Sequence, residues 1–233
     1  MLSEFQRYLL QEMDIPVWVE KTTQQARSLP IASSEEVTLK AWDTVAADAA
    51  MCQKCALSQH RRQVVFGAGN RKASLVLIGE APGETEDKEG LPFVGRAGML
   101  LNSILAAVGL SRDTLYICNI VKCRPPYNRA PTPEERAACF PYLEAQLALI
   151  KPRWIVALGL TAAQTLLGVD TPLKSLRKQH FAWHSEKIPL RVTYHPAYLL
   201  RQPKDKAKAY EDWLAIRAMI EGDVPPSDEQ VVL

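Results

Sequence analysis

No stretch of this sequence is long and apolar enough to cross a bilayer. The longest uncharged run covers residues 154–169, only 16 residues, and Thr161, Gln164 and Thr165 interrupt it. A spanning helix needs about 20 consecutive apolar residues. Glu4 and Arg7 stand near the front with no apolar segment after them, so no secretory signal is expected and a cytoplasmic setting is. Charge of one sign is not in excess: 28 basic and 26 acidic residues leave a net +2. That balance by itself points to no nucleic-acid partner and leaves only local basic faces for one. Internal repeats are absent. What is present is ordinary for a globular chain. Over 233 residues, 47% are hydrophobic and 23% charged, enough for a real core and for one domain with an extension.

The five cysteines are not expected to form disulfides, because a cytoplasmic compartment keeps thiols reduced. Cys52-Gln-Lys-Cys55 has the spacing that turns two thiolates toward one metal centre. Two of Cys118, Cys123 and Cys139 would complete a four-thiolate site. Cys118 lies inside the apolar run Leu115-Tyr-Ile-Cys-Asn-Ile-Val121, which reads as a buried strand, so it is expected to be a packed core thiol. Cys52, Cys55, Cys123 and Cys139 are therefore the candidate ligands. A few buried thiols and an accidental CxxC remain the alternative.

Residues 1–36 read as an N-terminal extension, with an amphipathic helix over 3–14 and a polar linker up to Glu36. Residues 37–221 read as the main domain, and 222–233 as a flexible tail. A helix is expected from Val37 through Trp42 into the CxxC. Strands are expected at 74–79, 115–121, 153–159 and 190–194, and helices at 96–108, 132–150, 161–167 and 205–220. Thr132-Pro-Glu-Glu135 is a capping-box start with proline at the first helical position, and Pro141 is expected to bend that helix. Strand–helix alternation predicts an α/β fold: a three-layer α/β/α arrangement with a central four-stranded parallel sheet plus the N-terminal helical extension. In such folds ligands bind beyond the carboxyl ends of the strands. Gly79-Glu-Ala-Pro-Gly83, Asn119, Lys122-Cys-Arg-Pro-Pro-Tyr-Asn128, Gly159 and His195-Pro-Ala197 all fall there.

Those motifs, together with Pro92-Phe-Val-Gly-Arg-Ala-Gly98, closely resemble the family 4 uracil-DNA glycosylases, the iron–sulfur branch of the uracil-DNA glycosylase superfamily. The resemblance runs over residues 51–221 and leaves residues 1–36 uncovered. It implies hydrolysis of the uracil–deoxyribose bond by a monofunctional enzyme that starts base excision repair. It also implies that Cys52, Cys55, Cys123 and Cys139 hold a 4Fe–4S cluster, with zinc the chemical alternative. Gly79–Gly83 would border the uracil pocket with backbone donors. A phosphate-binding loop is disfavoured there, since no Gly-Lys-Ser/Thr ending follows. Phe93 would stack on the extruded base, and Asn119 would read the N3–H and O4 edge that cytosine presents reversed. His195 would hydrogen-bond uracil O2 and stabilise the departing anion. Glu80 or Asn128 would position water, and Glu86 would border the C5 side that rejects thymine. Ala81 takes the position of the aspartate that activates water in the best-known glycosylase branch.

The base must leave the duplex, at a cost of a few kcal/mol. Residues 198–201, Tyr198-Leu-Leu-Arg201, are the candidate wedge, with Arg201 holding a phosphate of the DNA. Arg61/Arg62, Arg71/Lys72, Lys174/Arg177/Lys178 and Lys204/Lys206/Lys208 are local basic clusters suited to DNA or simply solvated. Tyr8-Leu-Leu-Gln-Glu-Met-Asp-Ile-Pro-Val-Trp18 is similar to the start of the psi subunit of bacterial DNA polymerase III, which implies a replication-machinery partner for the extension. A monomer is expected otherwise. A uracil-DNA-binding module that does not cut, and a redox protein, are the readings from other classes.

Overall fold

The computed structural model describes residues 34–183 and 187–222. The helix expected over residues 3–14, the segment 8–18 and the tail beyond Gly222 lie outside the described residues. In chain order the elements are α1 (Ser34–Ala50), β1 (Ala68–Gly69), β2 (Leu75–Gly79), α2 (Glu84–Glu89), α3 (Arg96–Ala107), β3 (Tyr116–Asn119), α4 (Pro133–Ile150), β4 (Trp154–Leu158), α5 (Leu160–Leu167), α6 (Leu173–Leu176), β5 (Phe181–Trp183), β6 (Ile188–Thr193), α7 (Pro196–Arg201) and α8 (Lys206–Gly222). Short 3-10 turns fill several of the connections.

The sheet corrects the four-stranded expectation. Six strands run in the order β1-β3-β2-β4-β6-β5. The four expected strands form its parallel centre, and β1 and β5 add antiparallel edges. At two and three residues, the edge strands are too short to show an alternating pattern. Helix α1 begins at Ser34, inside the stretch expected to be linker.

The central strands are apolar on both faces because both are covered. Val76, Ile78, Tyr116, Cys118, Ile155 and Ala157 pack with Trp42 of α1 and with Leu143 and Leu147 of α4. Leu75, Leu77, Ile117, Trp154, Val156 and Leu158 face the other way, against Leu101 and Leu105 of α3 and Trp213 and Ile216 of α8. Successive strand residues alternate between these two clusters, as a period of two requires. The result is the expected three-layer arrangement. The start of α4 follows the capping box. Thr132 Oγ1 accepts from the Glu135 N–H at 3.3 Å, and Glu135 Oε2 accepts from the Thr132 N–H at 2.8 Å. The helix then runs through Pro141 to Ile150 as one element.

Strand β2 lies between β3 and β4, so the chain leaves neighbouring strand ends in opposite directions and opens a crevice above them. Among the described residues no helix is long and apolar enough to cross a membrane.

Candidate functional site

A cleft of about 1050 Å³ opens at that crevice. Glu80, Ala81, Glu86, Phe93, Asn119, Asn128, His195 and Arg201, picked out from the sequence at separations of up to 121 positions, all line it.

Its floor is built where β2 ends. Gly79 pairs in register with Asn119. A Cβ on Gly79 would collide with Asn119 Oδ1 and lie 2.6 Å from Phe93 Cζ, so the glycine lets the carboxamide and the ring close over the strand end. Asn119 is 1% exposed, and its Oδ1 is buried without a hydrogen-bond partner. Leaving a buried acceptor unpaired costs about 1–3 kcal/mol, and such exceptions in folded proteins call for an explanation. The explanation offered by this location is a ligand that carries a donor.

Phe93 is held in a left-handed backbone conformation, φ 53°. Its carbonyl accepts from Arg112 Nη1 at 2.8 Å, and Arg112 Nη2 donates to the Pro92 carbonyl. The Phe93 carbonyl also presses on Gly98, where a Cβ would not fit. Strain of this kind persists only where the surroundings over-determine it. The ring so placed has its centroid 5.5 Å from that of His195, tilted by 35°.

His195 follows β6 and caps α7. Its Nδ1 accepts the Ala197 N–H at 3.1 Å, which leaves the proton of a neutral ring on Nε2. Gly159, with φ 93°, makes room for it: a Cβ there would lie 2.8 Å from His195 Cβ. Burial, then the Arg201 charge, push the imidazole down to about 4, against a smaller opposing pull from Glu86. The ring is therefore a neutral N–H donor at neutral pH. Its depressed pKa has a sign that can be tested. The unfolded chain takes up the proton near 6.5 and the folded one only near 4, so folded stability is full above about 6.5 and declines as pH falls through that window. At about 1.36 kcal/mol per pH unit the loss reaches roughly 3 kcal/mol. Thermal melts of the wild type and His195→Gln between pH 7 and pH 4 should show a steeper acid decline in the wild type; parallel curves would contradict the assignment.

Glu86 is a brace. Its Oε1 accepts from the N–H groups of Val94 at 3.0 Å and Gly95 at 2.9 Å, and its Oε2 from that of Gly83 at 3.1 Å. It thus ties the loop after β2 to the loop carrying Phe93. Asn128 is exposed, with φ 55°, and its Oδ1 accepts from Arg124 Nε at 2.8 Å. Glu80 is half-buried, and its backbone carbonyl accepts from the Val121 N–H.

The expected wedge is corrected in part. Leu199 is fully buried, and Tyr198 stacks on Tyr194 with centroids 5.3 Å apart while donating to Asp205. Neither side chain is free to enter DNA; Leu200 is half-buried and Arg201 exposed. The basic clusters also thin out. Arg177 is buried and forms an ion pair with Asp212 at 2.7 Å. Arg71 lies over Trp42 and pairs with Asp43.

Arg61 belongs to a second place. Cys52, Cys55, Cys123 and Cys139 line one small cavity between the end of α1, the loop after β3, and α4. Cys118 is packed in the core instead. Arg61 Nη1 donates to Cys123 Sγ at 3.2 Å, and the Lys122 N–H donates to Cys139 Sγ at 3.2 Å. Burial pushes the Cys139 thiol up to about 11, opposed by the Lys122 charge and N–H. Among the described residues no group of three or more His, Cys, Asp and Glu is arranged to hold a metal ion. Four sulfurs around one cavity, two of them accepting N–H groups and with Arg61, Lys54 and Lys122 alongside, nevertheless have the donor chemistry of a site for a thiolate-bound, negatively charged group.

Sequence reasoning missed Lys122 itself. It is 1% exposed, and its ammonium donates to the Asn119 carbonyl at 2.8 Å and to Gln146 Oε1 at 2.5 Å. It links the thiol cavity to the floor of the cleft. Arg112 was missed too, as it stands in no motif whose chemistry called for it, and Gly159, expected at a strand end, was not foreseen as the space for His195.

Residues 66–215 match the Uracil DNA glycosylase superfamily. Among curated relatives, a Type-4 uracil-DNA glycosylase of Thermotoga maritima is 48% identical over 160 residues, 67% of this chain and 82% of that protein. One of Archaeoglobus fulgidus is 40% identical over 185 residues, 76% of this chain and 92% of its own length. A Type-5 uracil-DNA glycosylase of Thermus thermophilus is 37% identical over 118 residues, 44% of this chain and 53% of that protein.

Proposed function

The chain belongs to the uracil-DNA glycosylase superfamily, and on that premise we propose how it works as a uracil-DNA glycosylase. Uracil turned out of the DNA enters the cleft and lies against the Phe93 ring. Asn119 Oδ1 accepts the N3–H and its amide N–H donates to O4. Cytosine offers an acceptor and a donor in those places, so the same carboxamide rejects it. The Nε2–H of neutral His195 donates to O2. As the C1′–N1 bond breaks, its electron pair moves onto uracil, and this donor stabilises the anion as it forms. Water adds to the oxocarbenium-like C1′, the proton it loses passes through solvent to the uracil anion, and an abasic site and neutral uracil are left. Glu80 is the carboxylate beside Ala81 at that end of the cleft, and it and Asn128 orient the water. Glu86 serves the substrate through the two loops it joins, and Arg201 takes a DNA phosphate.

The buried Oδ1 of Asn119, on the cleft and accepting from no protein group, carries this reading, because it is an acceptor left open for a donor on the ligand. The test is a duplex oligonucleotide with one uracil. The protein should convert it to an alkali-labile product without cutting it unaided, and His195→Ala should lower the rate by about 10²–10³, the usual worth of one such donor. Tight binding with no abasic product would favour the non-cutting module, which the glycosylase names of the relatives already disfavour.

For Cys52, Cys55, Cys123 and Cys139 we infer a 4Fe–4S cluster. The resemblance to the iron–sulfur branch, the four thiols around one cavity and the N–H donors to two of them support it over zinc, and iron and acid-labile sulfide in the purified protein would decide. When bound, the cluster would crosslink the end of α1, the loop after β3, and α4; the hydrolysis itself requires no electron. The extension at residues 1–36 is assigned to docking on a replication partner, on its likeness to the psi subunit. The enzyme is proposed to act as a cytoplasmic monomer.

A further inference from the structure

Leu199 is buried and Tyr198 is held against Tyr194 and Asp205, so of the expected wedge only Leu200 and Arg201 remain to meet the DNA, and the mouth of the cleft offers a further residue. Tyr127 is the exposed aromatic placed for this. It is 97% exposed and stands between Pro125 and Asn128, both of which line the cleft. Its backbone is left-handed, φ 55° and ψ 21°, and Asn128 after it has φ 55° as well. For a bulky side chain this conformation is an outlier costing about 1–2 kcal/mol.

The loop is fastened on both sides of the ring. The Asn128 and Arg129 N–H groups donate to the Pro125 and Pro126 carbonyls at 3.1 and 3.2 Å. Arg124 holds the Asn128 side chain, and Arg129 is paired with Glu135 at the start of α4. A strained backbone, a rigid mount and a large ring held in water make no contribution to the fold. They suit a platform whose apolar face is covered only when substrate is present.

We propose that Tyr127 is a DNA-binding residue that stacks on the nucleobase next to the extruded uracil, at the mouth of the cleft. This rests on the glycosylase reading, and the occupant is a base of the substrate itself. Every nucleobase offers a π face, so the contact is indifferent to sequence. By bracing the neighbouring base it would hold the stack open while uracil occupies the cleft.

The experiment separates this from the parent reading by measuring binding as well as excision. The probe is duplex DNA carrying a tetrahydrofuran abasic analogue next to 2-aminopurine. It is followed by anisotropy and by the fluorescence of the 2-aminopurine, with the full-length protein. Tyr127→Asn keeps a residue that tolerates the left-handed backbone and removes the ring. It should weaken binding by about 5- to 100-fold, as the loss of one stacked base predicts, and abolish the change in 2-aminopurine emission. Tyr127→Phe should behave as wild type. On uracil-containing duplex, Tyr127→Asn should raise KM by a similar factor and leave kcat nearly unchanged, since the cleft is intact. Unaltered binding in Tyr127→Asn, or equal loss in Tyr127→Phe, overturns the stacking role. A wild type that binds the probe but never releases uracil would overturn the glycosylase reading and leave the stacking result to stand on its own.

Discussion

Asn119→Leu should produce a protein about as stable as the wild type and almost inactive. Leucine has nearly the outline of asparagine, so the close packing against Gly79 and Phe93 is kept. It removes a buried oxygen that accepts from no protein group. No hydrogen bond to another protein group is lost with that oxygen, so melting should hold. Excision should collapse, because uracil N3–H and O4 would meet an apolar wall. Removing one hydrogen-bonding side chain from a reacting site typically costs about 10²–10³; Asn119 makes two such bonds to uracil, so a fall in kcat/KM of at least about 10³ is expected here. The backbone carbonyl of Asn119 still accepts from Lys122, so β3 has no reason to shift. The check is calorimetry beside initial rates. A variant that loses stability in proportion to activity would make Asn119 a structural residue and remove the base-reading role.

The parts of the fold that could be read beforehand are those where burial is complete. Strands β2, β3, β4 and β6 are covered on both faces, and such strands appear in sequence as short apolar runs closed by turns. Thr132 and Glu135 announced α4 because a capping box is a local device needing only one turn of chain. Gly79, Asn119 and His195 were legible as positions because they sit at or just past strand ends, where the chain must turn and ligands collect, whereas Glu86, Phe93, Asn128 and Arg201 were picked out through the resemblance to the glycosylases. What escaped depends on which side of an element faces in. Leu199 and Leu200 are the same residue type one position apart, yet the first is core and the second half-exposed. Arg61 and Arg177 looked like members of basic surface clusters, while the fold uses one to reach a thiol and the other to pair with Asp212. Lys122 was hidden for the same reason. A lysine is almost never fully buried unless paired, and its partners, the Asn119 carbonyl and Gln146, come from β3 and from α4, 24 residues away. The edge strands β1 and β5 were invisible because pairing, not pattern, makes them strands.

Gly79→Ala offers the sharpest test of how tightly the floor of the cleft is assembled. One methyl group there would meet the Asn119 carboxamide oxygen and lie 2.6 and 2.9 Å from two atoms of the Phe93 ring. Neither neighbour can retreat freely. Asn119 is pinned by its register with Gly79 and by the Lys122 hydrogen bond to its carbonyl. Phe93 is pinned by Arg112 on one side and by Gly98 on the other. The overlap must therefore be relieved by turning the ring, the carboxamide, or both, about their side-chain bonds. Overpacking a core position this way costs about 1–3 kcal/mol of stability, which a domain with two extensive hydrophobic clusters survives. Catalysis is less forgiving, since a displacement of about 1 Å at a reacting geometry costs about 100-fold, and here two of the three proposed base-binding groups move together. We expect a folded protein with a modestly lowered Tm and a kcat/KM reduced by at least about 10²-fold. Full activity in Gly79→Ala would mean that the ring and the carboxamide do not form one base-sized pocket, and the glycosylase site would have to be sought elsewhere in the cleft.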